Sequence, residues 1–147
     1  MKSFSVLVTA ATLLASPVLA DGHITGDAEA GEAAFRQCIS CHVVVNAEGE
    51  TLAGRNARTG PNLWGVAGRH VGSVEDFRYG NGLTALNEAE MVWDEANFVG
   101  YVQDPTGWIR ETTGDNSLRG AMSFRVRSEE DALNLYAYLA SLGGPEE

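Results

Sequence analysis

The chain has 147 residues and carries 10 Lys and Arg against 20 Asp and Glu, which gives a formal net charge of −10 at pH 7. A chain of this length suits one compact domain with a modest hydrophobic core. Nucleic acid is not an expected partner, because binding to phosphates requires a basic face.

The N-terminus has the pattern of a secretory signal peptide. Lys2 precedes an apolar stretch from Val6 to Leu14, and small residues lead up to Ala20. A transmembrane anchor is the alternative, but the apolar run is shorter than the roughly 20 residues that span a bilayer. We therefore predict cleavage after Ala20, export to the periplasm and one unanchored domain over residues 21–147. Without the signal no Lys remains, and every cation of the domain is an Arg.

The first predicted helix runs from Asp27 to Gln37. Asp27 can cap its start, because an Asp side chain accepts hydrogen bonds from the free backbone N–H groups of the first turn. Ala30 and Ala34 share one face with Cys38, at the spacing of helical turns. The helix is therefore expected to end directly at a cysteine motif.

That motif is Cys38-Ile39-Ser40-Cys41-His42, the C-x-x-C-H pattern by which haem is attached covalently. Each thiol would form a thioether with one haem vinyl group, and the adjacent His42 imidazole would be an axial ligand of the iron. Cys38 and Cys41 are the only cysteines in the chain. The motif therefore predicts one covalently bound haem c.

Three other interpretations of the motif compete. A thioredoxin-like redox pair belongs in a βαβ unit, and Gln37 stands where an aromatic residue is usual. A zinc site needs four N or S ligands, and only His23 and His70 could complete one. A plain structural disulfide leaves His42 without a role.

The second axial ligand must come from Met91, Met122, His23 or His70, or the position is open. Met122 follows a stretch rich in glycine, and such a stretch can fold over a planar cofactor and present a thioether to the iron. Met91 is expected to pack in the core. His/Met ligation raises the reduction potential, whereas an open position permits ligand or oxygen chemistry. We predict Met122, with His70 or an open site as the alternatives.

The middle of the chain contains loops and two predicted helices. Residues 46–62 are rich in Gly, Asn and charge and are expected to form a loop. No sheet should organise the fold, because Val43–Val45 is the only run of β-branched residues. Helices are predicted over Leu83 to Glu90 and over Asp94 to Gln103, and the second should stop near Pro105. A glycine-containing loop is expected to follow it.

The last helix has the clearest signals. Ser128 can cap its start, three acidic residues fill its first turn, and Gly143-Gly144-Pro145 ends it. Ala132, Leu135, Tyr136, Leu139 and Leu142 follow the spacing of a buried stripe. We expect this stripe to pack across the first helix, which gives an all-α domain.

Taken together, the motifs resemble those of class I cytochromes c, and more narrowly those of the long bacterial electron shuttles related to mitochondrial cytochrome c. The match covers residues 27–142. It rests on these motifs in this order: Cys38 to His42, Gly60-Pro61-Asn62-Leu63-Trp64-Gly65, Gly68-Arg69, Phe77-Arg78-Tyr79, Trp93 and Met122-Ser123-Phe124.

The resemblance implies the class I cytochrome c fold, with helices wrapped around one haem and the N- and C-terminal helices crossing. It also implies roles for further residues. The Pro61 carbonyl would accept a hydrogen bond from the His42 ring. Haem propionates would be bound by Arg69, Tyr79 and Trp93. Tyr101 would approach the Met122 sulfur, and Asn81 would lie near the inner edge of the haem.

The function implied is one-electron transfer without a substrate, by a monomer that is not an enzyme. Its partners would be membrane or periplasmic redox complexes of the quinol–cytochrome c oxidoreductase, terminal oxidase or photosynthetic reaction centre type. The alternative is a haem subunit or enzyme of periplasmic oxidation, such as a peroxidase or a sulfur-compound oxidising protein, with an open or His-ligated iron.

The chain departs from the family pattern at three points. The stretches 46–59 and 106–120 look longer than in mitochondrial cytochrome c. Gly120 stands two residues before Met122, where a hydroxyl residue is common. The ring of lysines that usually guides docking is absent. Five arginines could replace it as a basic rim, or could simply be scattered surface charges: Arg36, Arg110, Arg119, Arg125 and Arg127.

Overall fold

The structure is a computed structural model, and it describes residues 23–144. Within this range the chain forms five α-helices and one two-stranded antiparallel hairpin. The predicted signal peptide, its cleavage site at Ala20 and the helix-ending Pro145 lie outside the described residues. None of the helices within 23–144 is long and apolar enough to cross a membrane. The predicted all-α class is confirmed.

Helix α1 (Ala28–Ala34) begins where the sequence predicts. The Asp27 side chain caps it by accepting a hydrogen bond of 2.9 Å from the Ala30 backbone N–H. A 3₁₀ turn over Phe35–Gln37 continues the helix up to Cys38. The predicted helix is therefore confirmed, with a tighter last turn, as is common where the final carbonyls lack helical partners.

Helix α5 (Glu129–Ser141) crosses α1, as predicted. Gly31 lies at the crossing, and a Cβ there would come within 2.6 Å of the Tyr138 Cβ. Because glycine has no side chain, the two backbones can approach closely. The Phe35 and Tyr138 rings pack beside this point with centroids 5.7 Å apart. Ser128 caps α5 through the Asp131 N–H.

The buried face of α5 is wider than the predicted stripe. Ala132, Leu135, Tyr136 and Leu139 are buried as predicted, whereas Leu142 is half-buried, and Asn134, Ala137 and Tyr138 are buried as well. The helix is covered by α1 on one side and by α3 on another, so burial extends beyond a single stripe.

Helices α2 (Asn81–Glu88) and α3 (Glu95–Gln103) occupy the middle of the chain. The start of α2 is two residues before the predicted one. Asp94 caps α3 by accepting from the Asn97 N–H at 2.7 Å, as expected. Four apolar or aromatic residues of α3 are buried: Phe98, Val99, Tyr101 and Val102.

Helix α4 (Pro105–Thr113) was not predicted, and the expectation of a loop here is wrong. Proline is tolerated in the first turn of a helix, so Pro105 ends α3 and also begins α4. The Asp104 side chain caps the new helix through the Gly107 N–H, and Gly114 ends it with a φ of 72°. Fully buried Ile109 fastens α4 to the core.

A small hairpin interrupts the predicted loop of residues 46–62. Strand β1 (Val44–Val45) pairs with strand β2 (Thr51–Ala53) in antiparallel register. The prediction of a continuous loop is therefore wrong over 51–53. Strands this short cannot organise a core, and the hairpin instead covers one end of it with the fully buried Val44.

Candidate haem site

A deep cleft lies between α3, α5 and the segments that carry Cys38 and Met122. It contains about 1230 Å³ of atom-free space, part of it open to solvent. None of the described residues that line it is an Asp, Glu, Lys or Arg. The cleft collects most of the predicted site residues: Cys38, Cys41, His42, Pro61, Tyr79, Tyr101 and Met122.

The His42 imidazole is held in one orientation by its surroundings. Its Nδ1 lies 2.9 Å from the Pro61 carbonyl oxygen, so the ring donates there and leaves Nε2 free. A Cβ on Gly60 would lie 2.6 Å from Nδ1, which shows how closely the backbone packs on the ring. Burial lowers the pKa of His42, against the opposing effect of the Pro61 hydrogen bond. The neutral ring is the form that binds a metal.

The segment that carries Pro61 is itself fastened to β1 by Asn62. The Asn62 side chain accepts from the Val45 N–H at 2.9 Å and donates to the Val45 carbonyl at 2.8 Å. It also accepts from the Trp64 N–H at 3.1 Å. Sequence reasoning assigned no role to Asn62, although it stands beside Pro61 in one of the motifs. The unpredicted hairpin explains the omission.

The two cysteine thiols face the same cleft. Burial, with a smaller contribution from Cys41, raises the pKa of the Cys38 thiol to about 11. Redox-active pairs of the thioredoxin type need a lowered thiol pKa, so this environment disfavours that interpretation. Among the described residues, no group of three or more His, Cys, Asp or Glu side chains could hold a metal ion, which leaves the zinc interpretation without ligands.

Met122 is the only candidate for the second axial ligand that lines the described cleft. Its side chain is half-buried against the core. Met91 packs elsewhere on the core, and its carbonyl accepts from the Val71 N–H at 2.8 Å. His23 and His70 are exposed and lie outside the cleft.

Arg69 does not line the cleft itself, but it is close enough to Tyr79, which does, for the two side chains to interact electrostatically. One terminal nitrogen donates to the Asn62 carbonyl at 3.3 Å, and the other to the Trp64 carbonyl. Its Nε is buried and has no hydrogen-bond partner among the described residues. Burial lowers the pKa of Arg69, with the nearby Tyr79 acting in the opposite direction. A buried cation with an unused donor is a site for an anion.

Trp93 and Tyr101 form part of an aromatic cluster behind the cleft. Their ring centroids are 5.1 Å apart, and Trp93 stacks on Trp108 of α4 at 5.8 Å. Tyr101 reaches the cleft, whereas Trp93 is buried behind it. Burial raises the pKa of Tyr101 to about 12, so its hydroxyl stays protonated at neutral pH.

Asn81 is placed differently from the other predicted site residues. It is exposed, begins α2 and does not line the cleft. The structure therefore gives no contact that supports its predicted position near the haem.

The five arginines considered for a basic rim fall into two groups. Arg36, Arg119 and Arg127 are exposed. Arg125 is exposed but pairs with Asp104 at 2.8 Å, and half-buried Arg110 donates through Nε to the Leu118 carbonyl at 3.0 Å. Arg110 therefore has a structural contact that the rim interpretation did not foresee.

The residues of the cleft fit a haem. Apolar walls suit a flat hydrophobic ring, and two thiols, a free imidazole nitrogen and a thioether are arranged around the same space. The unpartnered Nε of Arg69 suits a propionate at one edge. The C-x-x-C-H motif, Arg69 and Met122 come from separate segments of the chain, which only the fold brings together.

Comparison with known proteins gives the family. Cytochrome c2 from Rhodovulum adriaticum is 59% identical over 124 residues, which are 84% of this chain and 98% of that protein. Cytochrome c2 from Cereibacter sphaeroides is 49% identical over 134 residues, or 90% of each chain. The X-ray structure of cytochrome c2 from Rhodobacter sphaeroides aligns with a TM-score of 0.81 at 49% identity, covering 83% of this chain and 100% of that one.

The chain matches no protein-family model. The relatives nevertheless exceed by far the similarity that shows common ancestry, and the fold agrees with theirs. The chain therefore belongs to the cytochrome c2 family of class I c-type cytochromes, which are electron-transfer proteins rather than enzymes and carry one covalent haem c.

Proposed function

We propose that this chain is a periplasmic one-electron carrier whose haem is bound through thioethers to Cys38 and Cys41, with His42 and Met122 as the axial ligands. The observation that carries the proposal is the cleft, which Met122 lines together with the C-x-x-C-H motif. The N-terminal sequence pattern, which predicts a signal peptide cleaved after Ala20, supports export.

The haem, when bound, supplies an iron that changes between Fe(III) and Fe(II). The protein keeps the ligands in place during this change. The Pro61 carbonyl holds the His42 ring and increases its basicity. A Met thioether and the uncharged walls both favour the reduced state, because they stabilise the additional positive charge of Fe(III) poorly.

The propionates of the haem would be bound at the side of the cleft where Arg69 and Tyr79 lie. Arg69 offers its unpartnered Nε. The Tyr79 hydroxyl accepts from the Val74 N–H at 3.2 Å and retains its own proton for donation. Trp93 is buried nearby and is an indole N–H donor. A buried carboxylate is tolerated only with such partners.

The partners proposed are membrane or periplasmic redox complexes such as a quinol–cytochrome c oxidoreductase, a terminal oxidase or a photosynthetic reaction centre, met by a monomer. Phe124 lines the cleft and is 44% exposed, so the cleft has an apolar edge at the surface. Exposed Arg36, Arg119 and Arg127 are among the cations that could orient the molecule in an encounter.

The test compares the haem-loaded protein with two matched variants, Met122→Leu and Met91→Leu. Each variant removes one thioether at similar volume. We expect the weak near-infrared sulfur-to-iron band of the oxidised protein to be present in the wild type and in Met91→Leu, and to be absent in Met122→Leu.

A band that survives in Met122→Leu would contradict the ligand assignment. A wild-type spectrum without the band, of high-spin or bis-imidazole type, would instead support an open or His-ligated iron and refute the proposed electron carrier with His/Met ligation.

A further inference from the structure

The backbone around Met122 makes few hydrogen bonds. We call residues 118–126 the Met122 segment. No backbone hydrogen bond within the described chain involves residues 121–125, and no helix or strand includes them. Met122 therefore lies in a short span whose position depends on how its two ends are held.

The N-terminal end of this segment is bound by α4. The Gly120 N–H donates to the Thr106 hydroxyl at 3.1 Å, and the Arg110 Nε donates to the Leu118 carbonyl at 3.0 Å. Thr106 and Arg110 are four residues apart, so they lie on the same face of the helix.

Gly120 is also packed tightly against the first turn of α4. A Cβ there would lie 2.8 Å from the Pro105 Cβ, so this close approach needs a glycine. This contact leaves no room at Gly120 for the hydroxyl side chain that is common at this position in the family.

The C-terminal end of the segment is bound by α3. The Val126 N–H donates to the Val102 carbonyl at 2.8 Å, and Val126 is 1% exposed. Arg125 adds an exposed ion pair with Asp104, a type of contact that contributes little. The two ends are thus fixed by different helices, and the α4 end depends on two side chains.

We propose that Thr106 and Arg110 are positioning residues for the axial thioether. This inference rests on the proposed function, in which Met122 is the ligand. Helix α4 holds the segment so that the Met122 sulfur stays at the iron. Weakening this hold increases the fraction of molecules in which the sulfur has moved away. A competing ligand binds only that fraction, so its apparent affinity rises when the contacts between α4 and the Met122 segment are weakened.

The probe is imidazole, added to the oxidised haem-loaded protein. The variants are Thr106→Val, which loses the hydroxyl at equal size, and Arg110→Met, which loses the Nε donor. Thr106→Ser keeps the hydroxyl and should restore wild-type behaviour. Thr112→Val, at an exposed position of the same helix, and Arg55→Met, at an exposed arginine outside the cleft, are matched controls.

We expect Thr106→Val and Arg110→Met each to raise the apparent imidazole affinity about two- to tenfold, the range that corresponds to one lost hydrogen bond. Thr106→Ser and both controls should stay within about twofold of the wild type by the same argument. Amide hydrogen exchange at Gly120 and Val126, whose N–H groups are hydrogen-bonded at the two ends of the segment, should accelerate in the two affected variants.

Unchanged imidazole affinity and amide exchange in both variants would overturn the inference, as would equal changes in the controls. Should Thr106→Val yield no haem-loaded protein, Arg110→Met decides the question.

Met122→Leu separates the role of α4 from the ligand assignment on which it rests. If it binds imidazole no better than the wild type, the ligand assignment fails, whereas a large gain there with silent α4 variants refutes only the role of α4.

Discussion

The two sides of the cleft are built in different ways. On the His42 side, the ligand follows a helix and a turn, its ring is fixed by the Pro61 carbonyl, and neighbouring backbone is tied to a hairpin. On the Met122 side, residues 121–125 have no backbone hydrogen bonds within the described chain. The first ligand is thus held mostly by bonds close to it, and the second by contacts at the ends of its segment.

This difference indicates which side opens first. Regions with few buried contacts and few backbone hydrogen bonds open with a lower free energy than the packed core. We therefore expect the Met122 side to determine ligand exchange and the His42 side to determine whether the domain folds. Substitutions on the two sides should separate these effects.

The largest effect is expected from Gly31→Ala, at the crossing of α1 and α5. A Cβ there would come within 2.6 Å of the Tyr138 Cβ and would also meet the Asn134 backbone, so the helices must separate. We expect a loss of about 3 kcal/mol in the free energy of unfolding. Guanidinium denaturation of the haem-loaded protein measures it.

Glu29→Ala, on the exposed side of α1, is the control and should change stability by less than about 0.5 kcal/mol. Equal losses in the two variants would show that the crossing does not limit the fold.

A smaller loss is expected from Asn62→Ala. The substitution removes the three hydrogen bonds that tie the Pro61 segment to β1 and to Trp64. We expect the free energy of unfolding to fall by about 2 kcal/mol, because water replaces the lost hydrogen bonds of the half-buried backbone groups only in part. The same denaturation experiment tests this, with the exposed Asn56→Ala as the matched control. A result like that of Asn56→Ala would mean that the hairpin does not support the His42 side.

The raised pKa of Tyr101 predicts that the stability of the fold depends on pH. Its pKa is raised by burial to about 12, so between pH 10 and 12 the unfolded chain releases a proton that the folded protein keeps. Stability from this group is therefore complete below pH 10 and declines as the pH rises. We expect the wild type to lose about 1 kcal/mol more than Tyr101→Phe between pH 9 and pH 11. Denaturation curves at the two pH values give the difference, and parallel declines would contradict it.

The smallest effect is expected from Arg125→Gln on the Met122 side. The ion pair with Asp104 is short at 2.8 Å, but the two side chains are 59% and 46% exposed. Its loss should cost less than about 1 kcal/mol at low salt and nothing measurable in 1 M salt. Stability measured at both salt concentrations tests this. A large effect that persists in salt would mean that Arg125 holds the segment by more than charge.

Several parts of the fold could be read directly from the sequence. The starts of α1, α3 and α5 follow from Asp27, Asp94 and Ser128, because capping depends on side chains within one helical turn. Helix α4 and the hairpin could not be found in this way. A proline and a glycine within a short helix weaken its local signal, and its stability comes from packing such as that of Ile109.

The sequence by itself determined the haem motif, the all-α class and the apolar stripe of the last helix, because these depend on residue types at short spacings. Only the tertiary structure decided that Met122 and not Met91 or His70 reaches the cleft. It also decided that Asn62 supports the Pro61 segment and that Thr106 and Arg110 contact the Met122 segment. The contacts of Arg110 and Thr106 join residues that are 8 and 14 positions apart in the chain. Spacing along the chain does not predict which groups meet when a loop of that length closes.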